Sequence, residues 1–165
     1  MSTRLLFVCT GNTCRSALAE AIAAAVAREL SRADVAATSA GTSAWDGAPA
    51  SDGALLVGME CKLDLSTHRS RQLSRDLVRD SDLILAMGPH HAERVEALGG
   101  TGKTWLLTDF AERSTEGRAI VDPFGGDLDV YRATMNELER AVRAVFGRLA
   151  EDQPVGDPPA APDRG

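Results

Sequence analysis

The sequence has few cysteines and no long hydrophobic run. Its 165 residues include three cysteines, an odd number that is too small for the disulfide framework of a secreted protein. No apolar stretch approaches the roughly 20 residues that a membrane-spanning helix needs, and the N-terminus has no secretory signal pattern. We therefore expect a cytoplasmic protein that does not bind membranes.

Basic side chains are also scarce. The 18 Lys and Arg residues stand against 24 Asp and Glu residues, which leaves a formal net charge of −6. Proteins that bind nucleic acid obtain affinity from a clustered basic surface, so this charge balance argues against that function class. A single site on an acidic protein can still be positive, which leaves an anionic substrate open.

The apolar content is sufficient for one globular domain, because 44% of the residues are hydrophobic. A domain of this size buries roughly 68–70% of the surface that its unfolded chain exposes. We expect residues 1–150 to form this domain. Residues 151–165 hold four of the seven prolines and little apolar bulk, which predicts a disordered tail.

Strand and helix patterns alternate along the chain. Short apolar runs predict strands over residues 4–9, 34–39, 82–87 and 104–107. Helices are predicted over residues 15–30, 51–60, a short segment from 74, 89–98 and 128–149. This order predicts an α/β fold with a small, doubly wound, four-stranded parallel sheet between two helical layers.

The segment between the first strand and the first helix carries the candidate chemistry. It reads Cys9-Thr10-Gly11-Asn12-Thr13-Cys14-Arg15-Ser16. A helix N-terminus beyond the carboxyl end of a buried strand presents unpaired N–H groups to an anion. The guanidinium of Arg15 can bind two phosphate oxygens, and positive surroundings favour a thiolate at Cys9 that attacks phosphorus. The alternative is that Cys9 is a small buried apolar residue at a strand end.

This segment resembles the phosphate-binding loop of the low-molecular-weight protein tyrosine phosphatase family. A second block, more than 100 residues later, resembles the family's acid loop and reads Val121-Asp122-Pro123-Phe124-Gly125-Gly126. The resemblance covers residues 4–149. It implies that Cys9 is the nucleophile and forms a phospho-cysteine, that Arg15 binds phosphate, and that Asp122 is the general acid.

The resemblance also implies roles for neighbouring residues. The phosphate-binding residues would be Thr10, Gly11, Asn12, Thr13, Cys14 and Arg15. Asn12 would be held in a strained conformation by Ser16, Ser39 and His68, and the alternative for His68 is a solvated side chain in a basic loop. His90 and His91 follow Pro89 at a predicted helix start, where we expect both at the surface.

Thr13 bears on the substrate. By resemblance, tyrosine-directed family members commonly have an aliphatic residue at this position, whereas Thr is similar to the bacterial protein arginine phosphatases. Tyrosine-directed members often have tyrosines after Asp-Pro, and this chain has Phe124 followed by two glycines. These features favour phosphoarginine proteins as substrates, with phosphotyrosine as the alternative. Trp45 is either a wall of the entrance or an ordinary packed or exposed residue.

Three further questions stay open at this level. Cys14 lies five residues after Cys9, and the resemblance supports a reversible disulfide between them, with structural filling as the alternative. One alternative is a thiol-based arsenate reductase, which needs further cysteines to relay electrons, whereas only Cys61 remains in this chain. Another is a non-catalytic phosphate-binding module, which would not need both Cys9 and Asp122. The cysteine spacing predicts no metal site. We expect no cofactor and a monomer.

Overall fold

The structure is a computed structural model that describes residues 2–152. The tail predicted over residues 151–165 lies outside the described residues, except that residues 151 and 152 continue the last helix. Of the helices in the described part, none combines the length and the hydropathy that a bilayer crossing requires.

Four strands alternate with six helices over these residues. The strands are β1 Thr3–Cys9, β2 Val35–Gly41, β3 Leu83–Ala86 and β4 Thr104–Leu106. The helices are α1 Arg15–Glu29, α2 Asp52–Glu60, α3 Arg75–Arg79, α4 Pro89–Val95, α5 Leu107–Glu112 and α6 Leu128–Asp152. A π-helical turn, Glu96–Gly100, continues α4.

The four strands form one parallel sheet in the order β2-β1-β3-β4. The central strand β1 is buried on both faces, as is typical of a parallel sheet covered by helices on both sides. Leu5, Phe7 and Cys9 belong to the larger core, which includes α1 and α6. Leu6 and Val8 point into a smaller core with residues of α3 and α4. The predicted three-layer α/β/α fold is confirmed.

Apolar stripes explain how the two long helices pack. Leu18, Ile22 and Val26 of α1 are spaced four residues apart and are all buried. Leu138 and Val142 of α6 have the same spacing and are fully buried. Each such side chain contributes roughly 1.5–3 kcal/mol through burial. The two helices therefore stabilise the same face of the sheet.

The chain after β3 differs from the sequence prediction. The fourth strand was predicted one residue too long, because Leu107 begins α5. Leu107 and Phe110 lie three residues apart on one buried helical face. The ring of Phe110 also packs edge-on against Trp105, with a centroid distance of 5.6 Å. A helix of six residues is too short for its periodicity to stand out in the sequence.

Close packing fixes the loop between β1 and α1. Gly41 lies beside Cys9 in the register of β1 and β2. A Cβ atom at Gly41 would lie 2.4 Å from the carbonyl oxygen of Thr10 and 3.0 Å from the backbone nitrogen of Asn12. Only glycine leaves room for the loop at this point, so the end of β2 shapes the loop that follows β1.

We expect Gly41→Ala to lower the free energy of unfolding by roughly 1–3 kcal/mol, because backbone atoms of the loop would have to move. The matched control is Gly147→Ala in α6, where an added Cβ has no heavy atom within 4 Å. That variant should gain roughly 0.5–1 kcal/mol through helix propensity. Urea unfolding of both variants is the measurement, and equal stability of the two would contradict the assigned role of Gly41.

Candidate active site

A cavity of about 200 Å³ opens at the carboxyl end of β1. Its lining residues are Cys9, Thr10, Gly11, Thr13, Cys14, Arg15, Asp122 and Phe124. The fold thus brings the loop after β1 and the segment before α6 to one cavity. The cavity is small enough to enclose a phosphoryl group while its leaving group extends outward.

Cys9 lies at the base of this cavity, and its side chain is almost completely buried. Its Sγ atom is 2.9 Å from the hydroxyl oxygen of Ser16, which is also buried. The hydroxyl of Ser16 can donate to this sulfur, and a hydrogen bond to the charged form of an acid favours that form. Ser16 is therefore placed to stabilise a thiolate at Cys9.

Asn12 has a left-handed backbone conformation, with φ of 58°. Its side-chain amide donates to the hydroxyls of Ser16 at 2.8 Å and Ser39 at 2.9 Å. Its backbone carbonyl bonds to Nε2 of His68 at 2.7 Å. The structure brings these four predicted residues together. It adds one that the sequence did not indicate, because the backbone N–H of Arg71 donates to Oδ1 of Asn12 at 2.9 Å.

Arg15 begins α1, and its guanidinium is buried beside the cavity. Nη1 donates to the carbonyl oxygen of Ile120 at 2.9 Å, and Nη2 lies 3.6 Å from Oδ2 of Asp122. Nε is buried and has no hydrogen-bond partner in the described part of the chain. An unpaired buried donor on a cation is costly. An anion in the cavity would satisfy it.

Asp122 lies at the rim of the cavity, with half of its side chain exposed. One carboxylate oxygen accepts the backbone N–H of Phe124 at 3.0 Å, and the other faces Arg15. An ion pair this exposed contributes little to stability, so the carboxylate can change partners at low cost. Phe124 also lines the rim and is 72% exposed.

Cys14 is a buried thiol on the other side of the loop. Its Sγ atom is 3.1 Å from the hydroxyl of Ser51 and 3.4 Å from the hydroxyl of Tyr131. These two hydroxyls are themselves 3.2 Å apart. Burial and the hydrogen bond to Cys14 raise the pKa of Tyr131 to about 12. Cys9 and Cys14 are both free thiols in this structure.

The expectation of a surface position was wrong for His91 and right for His90. His90 is exposed, but His91 is only 8% exposed, and its Nε2 atom lies 2.9 Å from the hydroxyl oxygen of Thr10. Burial lowers the pKa of His91 to about 4, with smaller effects from Arg15 and His90. The sequence contains one signal for the burial of His91, because His91 lies four residues before Val95 and both therefore share one face of the helix.

Two other candidates lie as follows. Thr13 lines the cavity, and its hydroxyl is 3.8 Å from Sγ of Cys14. Trp45 is 85% exposed and is not among the residues that line the cavity, so it does not wall the entrance. Over residues 2–152, no group of three or more His, Cys, Asp or Glu side chains could hold a metal ion.

A parallel α/β/α fold with a cysteine, an arginine and an aspartate around one cavity at the end of β1 is the arrangement expected of a cysteine-dependent phosphatase. The family model described as low molecular weight phosphotyrosine protein phosphatase matches residues 4–155. The chain belongs to this family, and it is a hydrolase.

Similar proteins include phosphatases named for two substrates. The protein-arginine-phosphatase of Geobacillus stearothermophilus is 37% identical over 155 residues, covering 93% of this chain and 100% of the relative. The low molecular weight protein-tyrosine-phosphatase PtpB of Staphylococcus haemolyticus is 39% identical over 136 residues, covering 82% of this chain and 91% of the relative.

The fold also matches the solved structure of a member of this family. A mutant of the YwlE arginine phosphatase with a phosphorylated active-site serine superposes with a TM-score of 0.85 at 33% identity. The match covers 92% of this chain and 98% of that one.

We expect the free energy of unfolding to fall as the pH decreases from about 6.5 to about 4, in part because of His91. The unfolded chain binds a proton at His91 below its usual pKa of 6.5, whereas the folded chain resists protonation until about 4. The charged groups that affect this ring are Arg15, His90 and Asp122. The loss should be on the order of 2 kcal/mol.

Chemical unfolding at several pH values measures this loss. His91→Phe should show a shallower decline over the window than the wild type, whereas the exposed control His90→Phe should keep the wild-type decline. A His91→Phe variant with the same pH dependence as the wild type would show that the imidazole is not held neutral by the fold.

Proposed function

We propose that this protein removes phosphate from phosphoarginine residues of proteins through a phospho-cysteine at Cys9. The observation that carries the phosphatase site is the buried Nε of Arg15, which has no partner in the described residues, on a side chain that lines a cavity together with the thiol of Cys9. A phosphoryl oxygen would accept from this donor. We place the activity in the cytoplasm, because free active-site thiols suit a reducing compartment.

The first step forms a bond between sulfur and phosphorus. The phosphoryl group enters the loop, where Arg15 and the backbone N–H groups at the start of α1 bind its oxygens. The thiolate of Cys9 attacks phosphorus, and the bond from phosphorus to the guanidino nitrogen breaks. The nitrogen leaves with its electron pair and receives a proton from the carboxylic acid of Asp122. Arginine departs and phospho-cysteine remains.

The second step consumes water. Asp122, now ionised, accepts a proton from a water molecule that attacks phosphorus. The bond from phosphorus to sulfur breaks, inorganic phosphate leaves, and the thiolate of Cys9 is restored with Ser16 as its hydrogen-bond donor. The exposed position of Asp122 suits this double role, because its carboxylate can reach a leaving group or a water at the rim.

The cavity rim favours a guanidino leaving group over a phenol. Phe124 is the one aromatic side chain among the described lining residues, and Gly125 and Gly126 follow it. The single tyrosine of the chain, Tyr131, is buried against Cys14 and cannot stack on a substrate ring. Thr13 adds a hydroxyl that can bond to the substrate or to the attacking water. A relative named protein-arginine-phosphatase supports this choice.

A tyrosine phosphatase is the second candidate, since a relative named protein-tyrosine-phosphatase is 39% identical. Both candidates share the chemistry of Cys9, Arg15 and Asp122. They differ in the leaving group, so substrate comparison separates them.

The decisive measurement compares initial rates on one peptide carrying either phosphoarginine or phosphotyrosine. We expect kcat/KM to favour phosphoarginine by roughly tenfold or more, a ratio within reach of a few pocket contacts. The Cys9→Ser variant is the blank and should release no phosphate above background. A preference for phosphotyrosine would move the protein to the second candidate, and no activity on either peptide would support a non-catalytic phosphate-binding module.

Thr13→Ile tests the assigned selector. We expect this variant to lose phosphoarginine activity and to gain relative rate on phosphotyrosine, because an aliphatic group replaces a hydroxyl in the cavity. Thr13→Ser is the matched control, since it keeps the hydroxyl and should retain more of the arginine preference. The ratio of kcat/KM for the two peptides is the readout, and an unchanged ratio in Thr13→Ile would refute the role of Thr13.

A further inference from the structure

We propose that His91 is a positioning residue that orients the hydroxyl of Thr10, so that Thr10 donates a side-chain hydrogen bond to the phosphoryl group of the substrate. The chemistry proposed above uses neither His91 nor this hydroxyl. The inference rests on the proposed function in one respect, because it takes the cavity beside Cys9 to be the phosphoryl site.

The hydrogen-bond pattern of the ring defines its tautomer. His91 is buried, with Nε2 2.9 Å from the hydroxyl oxygen of Thr10 and with Nδ1 unpartnered in the described residues. A neutral imidazole carries one N–H. A proton on Nδ1 would leave a buried donor unsatisfied, which proteins tolerate less often than an unsatisfied acceptor. The proton therefore belongs on Nε2, which donates to Thr10.

This bond leaves the hydroxyl hydrogen of Thr10 free. The oxygen of Thr10 accepts from His91, and no other hydrogen-bond partner of this hydroxyl occurs in residues 2–152. Thr10 is exposed and lines the cavity next to Cys9 and Gly11. A phosphoryl oxygen is the acceptor that this position meets during the reaction. Hydrogen bonds to a charged acceptor are roughly twice as strong as neutral ones.

Packing holds the ring in this orientation. His91 lies in the first turn of α4, three residues after Gly88, the residue that precedes the helix. A Cβ atom at Gly88 would lie 3.2 Å from Cβ of Ala119 and 3.6 Å from Nδ1 of His91, so the backbone of Gly88 packs closely against both the ring and the segment that leads to Asp122.

The electrostatics also favour a neutral ring. Burial and the charges of Arg15 and His90 oppose protonation, and only Asp122 favours it. A neutral ring can donate through Nε2 without adding a second cation beside Arg15. The role assigned to His91 is therefore that of an oriented dipole.

The tautomer can be measured without any assay of activity. Nitrogen-15 NMR of the wild-type protein, labelled at histidine, distinguishes a proton on Nε2 from one on Nδ1. The spectrum of His91→Gln identifies the signals of His91. We expect protonated Nε2 and unprotonated Nδ1 at neutral pH. A proton on Nδ1 would mean that Thr10 donates to His91, which overturns the proposal.

Binding of inorganic phosphate tests the donor role directly. Thr10→Val keeps the shape and removes the hydroxyl, and we expect its phosphate affinity to fall by roughly tenfold or more. Thr10→Ser keeps a hydroxyl and should lose less. His91→Phe should reproduce the loss, His91→Gln should recover part of it through its amide N–H, and the exposed control His90→Phe should bind like the wild type.

The double variant separates positioning from general damage. If both residues act through one bond, Thr10→Val with His91→Phe should lose no more affinity than one single variant. Thermal unfolding of each variant checks that it is folded at the assay temperature. Wild-type affinity in Thr10→Val, or additive losses in the double variant, would overturn the proposal. If the wild type binds phosphate and hydrolyses no phosphopeptide, the proposed function fails and the binding result still decides this inference.

Discussion

The left-handed backbone of Asn12 is the constraint on which the active-site loop depends. A residue other than glycine pays a steric penalty in this conformation, so the surrounding structure must hold it there. Bonds reach Asn12 from α1 through Ser16, from β2 through Ser39, and from the segment before α3 through His68 and Arg71. Hydrogen bonds from three parts of the chain thus stabilise one strained residue, and they keep the loop in the conformation that surrounds the cavity.

The positive and negative side chains around this loop differ in how deeply they are buried. The guanidinium of Arg15 is buried and anchored by the carbonyl of Ile120, which fixes the positive charge at the cavity. The carboxylate of Asp122 lies at the exposed rim, where it can exchange protons with solvent and substrate. The ring of His91 contacts Thr10 of this loop, and its pKa of about 4 keeps it neutral at physiological pH. The site therefore combines one buried cation with one exposed carboxylate.

Much of this arrangement could be predicted because it depends on local patterns. The continuous apolar run of β1 and the four-residue spacing of apolar side chains in α1 and α6 are visible in the sequence. The short helix α5 was missed because six residues carry too little periodicity. His91 was misplaced because its burial depends on the sheet beneath α4, and Arg71 was missed because it contributes a backbone N–H that no side-chain pattern reveals.

The sequence by itself determined the order of strands and helices and the identity of the loop after β1, since these depend on residues close together in the chain. Only the tertiary structure decided which distant groups meet that loop. Asp122 faces Arg15, Tyr131 contacts Cys14, and His91 contacts Thr10 across long separations. Such contacts follow from how the helices pack on the sheet, and that packing is a property of the whole core.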